Sequence, residues 1–85
     1  MTHWNYRVLK KYHEKTGTTI FQIHEVYYNE KNQVEAWAQS SVGPSGDTIS
    51  ELEEDVKHFM EAIHKPVFQE KYHKDREILV ELNEK

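Results

Sequence analysis

Residues 48 to 66 constrain this chain more than any other stretch. Thr48-Ile49-Ser50-Glu51 matches a capping box, in which the Thr48 hydroxyl accepts from the Glu51 N–H and the Glu51 carboxylate reaches back to Thr48. Ile49, Leu52, Val56, Phe59, Met60 and Ile63 then follow at spacings that form one stripe of a 3.6-residue period. Glu51, Glu53, Glu54 and Asp55 suit the positive end of a helix dipole. Lys65-Pro66 ends the run, because the residue before proline is pushed out of helical geometry. A helix over 48–64 with one apolar side must lie on something, and the preceding residues supply it.

Those residues read as strands. Trp4 to Leu9 alternates apolar with polar side chains, the period of a half-buried strand. Thr16-Gly17 signals a turn, and Thr18 to Tyr28 is rich in β-branched and aromatic residues with no Gly or Pro. Asn29 to Asn32 is a short polar turn, and Gln33 to Gln39 reads as the returning strand. Ser40 to Gly46 is a breaker-rich loop. The expected fold is α+β: a three-stranded antiparallel meander covered on one face by the helix, in a single domain over 1–85 with its core in about 4–64. Residues 65–85 form a C-terminal extension. There Phe68, Tyr72, Leu79 and Leu82 fit a second helix, and Glu77 to Leu82 fits a fourth strand; the charged run Lys71–Glu77 tips the expectation toward a helical tail.

One sheet face is then inside. Trp4, Tyr6 and Val8, with Phe21, Ile23 and Tyr27 and with Val34, Ala36 and Ala38, are assigned to it, which also turns Glu25 inward. The opposite face would expose Arg7, His24, Tyr28 and Trp37, a cation, an imidazole and two aromatics. These four are the candidate binding residues. The same face, or an edge strand, is a candidate homodimer contact that includes Trp37.

Composition narrows the function classes. There is no cysteine, so no disulfide framework, and no apolar run approaches a membrane span. Met1 to Trp4 runs straight into strand-like sequence without a basic-plus-apolar leader, so a cytoplasmic protein is expected. The net charge of −4 is uneven: residues 1–46 sum to +1, 47–64 to −5 and 65–85 to zero. That balance disfavours a nucleic-acid partner, which needs clustered Lys and Arg, and suits a basic protein partner at the helix.

Catalytic and metal chemistry lack a pattern. His3, His13, His24, His58, His64 and His73 include no pair at the spacing of three or four that a helical metal site needs. The serines lack a nucleophile elbow, and the helix carboxylates sit on its polar side, in solvent rather than in a cleft. Gly43 to Gly46 precedes a helix N-terminus, but Asp47 and the acidic first turn would repel phosphate. The expectation is no enzyme activity, no cofactor and no metal.

Two segments, Trp4-Asn5-Tyr6-Arg7-Val8 and Ile23-His24-Glu25-Val26-Tyr27-Tyr28, with Lys65-Pro66-Val67 after the helix, resemble a family of small uncharacterised bacterial proteins over about residues 4–68. That resemblance implies no activity and lends no site residues. The order of three strands, then Gly46-Asp47-Thr48-Ile49-Ser50-Glu51-Leu52, then a helix is similar to HicB-like antitoxin domains, which bind and block a small RNA-cleaving toxin. The Pro-Asp-Leu-Pro-Gly-like stretch expected before the glycine is missing. Together these features imply a non-catalytic protein-interaction or regulatory module. The alternative is small-ligand or single-stranded nucleic-acid binding through the open sheet face.

Overall fold

The computed structural model describes residues 3–82. Strand β1 (His3–His13) pairs antiparallel with β2 (Thr18–Tyr28) along its whole length, and β2 pairs antiparallel with the short β3 (Val34–Trp37). Helix α1 (Ile49–Ile63) follows, then β4 (Val67–His73) and β5 (Arg76–Leu82), which form an antiparallel hairpin. β4 lies parallel to β1, with Leu9 opposite Phe68, so the sheet order is β3-β2-β1-β4-β5.

The expected three-stranded antiparallel meander is therefore corrected to a five-stranded mixed sheet. The meander forms its first part, and residues 67–82 complete it. Helix α1 carries the chain back to the start of the sheet, so Val67 emerges running with β1, the geometry of a crossover connection. Val67 and Phe68 are both buried, which ties β4 in. The charged run that favoured a helical tail is the solvated end of the hairpin. His73 pairs with Arg76, and the intervening Lys74 and Asp75 have φ of 52° and 63°. Two positive φ values in a two-residue loop match the twist of the flanking strands.

The capping box is present. Glu51 N donates to the Thr48 hydroxyl at 3.1 Å, while Thr48 N and Asp47 N donate to the Glu51 carboxylate. Gly46 sits hard against this turn: a Cβ there would lie 2.5 Å from Leu52 N and 2.8 Å from Glu51 Cβ. Gly46→Ala should therefore lower stability by about 1–3 kcal/mol, as overpacking does. Gly43→Ala, with nothing within 4 Å of its Cβ, should change the denaturation midpoint little. Equal effects at the two glycines would contradict this packing.

The sheet coils, and its inside is not the face expected. Trp37 of β3 donates its indole N–H to Glu70 of β4 at 2.8 Å, although two strands lie between them in the sheet. Val34, Glu35 and Trp37 of β3 also share a cleft with Arg76 to Leu79 of β5. Leu9, Val26, Tyr28 and Phe68 form the core cluster in the resulting trough, with Val34, Trp37 and Leu79 packed against it. Helix α1 lies on the opposite side, where Phe59 and Ala62 are buried but Ile49, Val56, Met60 and Ile63 stay largely exposed. Its apolar stripe is thus only partly covered by the sheet.

Candidate functional site

Arg7, His24 and Tyr28 lie inside the trough and Trp37 is half-buried at its rim. The structure brings them to one face, as alternation on β1 and β2 requires, but that face is the core rather than an open platform. Tyr28 donates to Asn5 Oδ1 at 2.8 Å and accepts from Arg7 Nη1 at 3.1 Å. The Arg7 guanidinium lies 4.2 Å over the Phe68 ring, and its Nη2 donates to the Pro66 carbonyl at 2.7 Å and meets Glu81 at 3.3 Å. This cation is consumed in joining β1 to β4 and β5. The Trp37 indole N–H is bonded to Glu70 across the trough rather than presented on an open face.

His24 has no exposed surface. Its Nδ1 lies 2.9 Å from the Ala38 carbonyl, so Nδ1 carries the proton and donates. Its Nε2 is buried without a hydrogen-bond partner. Burial pushes the imidazole pKa down, Lys11 adds to that, and the Ala38 bond and Glu70 oppose it. A neutral imidazole in this position fixes the segment after β3 against β2.

The face around α1 has the shape of a binding surface. On one flank, a cavity of about 850 Å³ runs between α1 and the sheet. Val8, Phe21, Ile23, Val42, Pro44, Phe59, Ile63 and Val67 line it, with Lys10 and Gln22 as its polar members. Phe21 is 55% and Ile63 49% exposed, so apolar surface continues from the cleft onto its rim. Lys10 lies 6.0 Å from the Phe21 ring centroid, placing a cation beside the apolar mouth. Val42 is held there by its N–H donating to the Ile23 carbonyl at 2.9 Å. Pockets of this volume and apolar lining, with few polar groups, are characteristic of binding sites.

On the other flank of α1 is a smaller cleft of about 430 Å³ lined by Trp4, Asn5, Tyr6, Asp55, His58, Glu61 and Lys65. The helix between the clefts carries five carboxylates against one lysine. Among the described residues, no group of three or more His, Cys, Asp or Glu side chains converges for a metal, and no helix is long and apolar enough to cross a membrane.

Sequence reading placed Tyr6, Val8, Phe21 and Ile23 on the helix side, where they are. It did not find the cleft, because Val42, Pro44 and Val67 enter it from a loop and from a strand assigned to the tail. No family model, curated protein or solved structure matches this chain.

Proposed function

We propose that this chain is a non-catalytic protein-interaction domain that receives an apolar, positively charged segment of a partner across α1. The observation that carries this reading is the apolar cleft between α1 and the sheet, continuous with exposed Phe21 and Ile63. Contiguous exposed apolar surface on a small domain marks contact sites. Charge selects the partner's chemistry: Lys10 is the one charged residue lining the cleft itself, but the helix that borders it holds Glu51, Glu53, Glu54, Asp55 and Glu61 against Lys57 alone. A basic segment gains from that field in encounter rate and orientation. The meander, capping box and helix, in the order that resembles HicB-like domains, support the same class of function. The β4–β5 hairpin adds two strands after that helix.

An amphipathic Lys/Leu peptide and its Glu/Leu counterpart test this reading in an NMR titration. The basic peptide should shift the resonances of Phe21, Ile63 and Val42 saturably, with affinity falling as salt is raised. Phe21→Ser combined with Ile63→Ser should abolish the response without loss of fold, since both side chains are about half exposed. Equal binding of the two peptides would remove the charge argument. No response at millimolar peptide would remove the cleft as a protein-docking site.

A further inference from the structure

We infer that the second cleft, on the far flank of α1, is a binding site for an organic ammonium cation. Trp4 and Tyr6 are alternate residues of β1, so their side chains leave the strand on the same side. Their ring centroids are 5.2 Å apart and the ring planes meet at 78°, forming two walls of a corner. Tyr6 is held by packing on Phe59 at 4.4 Å.

Asp55 supplies the charge. Its Oδ1 is 3.4 Å from the Tyr6 hydroxyl, and its Oδ2 accepts from the Ser45 N–H at 2.9 Å. The carboxylate is thus fixed beside the corner from both the strand and the loop, and each oxygen retains acceptor capacity. Tyr6 remains protonated at neutral pH, because burial and the Asp55 charge both raise its pKa. Glu61 adds a second carboxylate and is tied to His58 at 3.1 Å. Lys65 is the one opposing cation in the lining, which leaves a formal charge of −1 with His58 neutral.

These properties select a ligand. Two carboxylates disfavour an anion. Half of the Trp4 surface is exposed, which for so large a side chain is more informative than an exposed leucine. A cation within about 6 Å of an indole or phenol ring is attracted by the ring quadrupole, most strongly when the cation sheds its water easily. A methylated ammonium, with its charge spread over weakly hydrated methyl groups, fits an aromatic corner better than a primary amine does. The cleft volume of about 430 Å³ accommodates such a head group with a short tail.

The same chemistry occurs in a free quaternary amine and in a methylated lysine side chain. Choline, free trimethyl-lysine and a trimethyl-lysine peptide therefore serve as three probes, followed in the wild type through the Trp4 indole resonance and in every variant through the backbone amides of Tyr6 and His58, which line the same cleft. The expected result is a saturable Trp4 shift with at least one of them. Tighter binding of the peptide would identify a protein side chain as the source, and tighter binding of choline a small molecule. Trp4→Ala should weaken binding about tenfold or more, Trp4→Phe should retain part of it, and Asp55→Asn should weaken it comparably. The Trp37 resonance reports whether each variant is folded. Absence of a saturable shift with all three probes, or binding unchanged in Trp4→Ala and Asp55→Asn, would overturn the assignment.

Discussion

Phe68→Ala should lower the free energy of unfolding by about 3–5 kcal/mol, the range for removing a buried aromatic side chain. Phe68 is buried in the trough with Leu9, Val26 and Tyr28. It sits opposite Leu9 in the one stretch where β1 and β4 pair. It is also the surface on which the Arg7 guanidinium rests. Alanine would leave a cavity and strip a buried cation of its stacking partner while its bonds to Pro66 and Glu81 persist. A domain of this length has roughly 4–13 kcal/mol of stability in total, so the loss is a large fraction of it. Met60→Ala is the internal comparison: Met60 belongs to the same apolar class but is half exposed on α1, and its loss should cost about 1 kcal/mol or less. Chemical denaturation of the two variants reads the difference. A Phe68 variant as stable as the Met60 variant would mean that residues 67–82 are not part of the core.

Acid should destabilise the protein through His24. Its folded-state pKa lies below the ordinary value of 6.5 because burial disfavours the imidazolium. Above pH 6.5 both folded and unfolded states hold a neutral imidazole, and stability is independent of this group. As pH falls below 6.5 the unfolded chain takes up a proton that the folded protein refuses. Stability then declines by up to about 1.4 kcal/mol per pH unit until the folded-state pKa is reached. His24→Gln keeps an N–H for the Ala38 carbonyl but cannot titrate. It should flatten this part of the stability–pH curve even if it lowers stability at neutral pH. Parallel curves for the two proteins between pH 6.5 and 5 would show that His24 is accessible to protons in the folded state.

The local structure that the sequence specifies most strongly is α1, because the Thr48–Glu51 cap, the apolar period and Pro66 all bear on the same residues. The β1–β2 pairing was legible for a similar reason: alternation and the Gly17 turn agree, and Gly17 has the positive φ, 67°, that the turn requires. The β4–β5 hairpin was legible only in part: Glu77 to Leu82 fitted a strand, and β5 covers Arg76–Leu82, but β4 and the turn carried no clear signal. Its turn is Lys74-Asp75 rather than an Asn-Gly or Asp-Gly pair, and its arms are charged because their ends are solvated.

Side assignment failed for a subtler reason. Both faces of β1 and β2 carry large apolar residues, so alternation alone does not say which face lies in the trough. A register shift between Tyr27 and Tyr28 then puts Val34 and Trp37 on the trough side together, where strict alternation had placed Val34 with Ala36 and Ala38. Glu25, the awkward inward residue of that assignment, does face the helix side and accepts from the Tyr27 hydroxyl. The candidate residues Arg7, His24 and Tyr28 were grouped correctly by period, yet the coiling that buries them depends on β4 and β5. The proposed docking surface lies on the other side, where Phe21, Val56, Met60 and Ile63 stay exposed.

Solvent paramagnetic relaxation measured with a soluble gadolinium chelate tests this division of the molecule in one experiment. Side-chain protons of Trp4, Phe21, Met60 and Ile63 should relax strongly, and those of Leu9, His24, Val26 and Phe68 should be protected. Strong relaxation of Leu9, Val26 and Phe68 together with protection of Phe21 and Ile63 would contradict it, and would return the open face to the side of the sheet that carries Arg7 and His24.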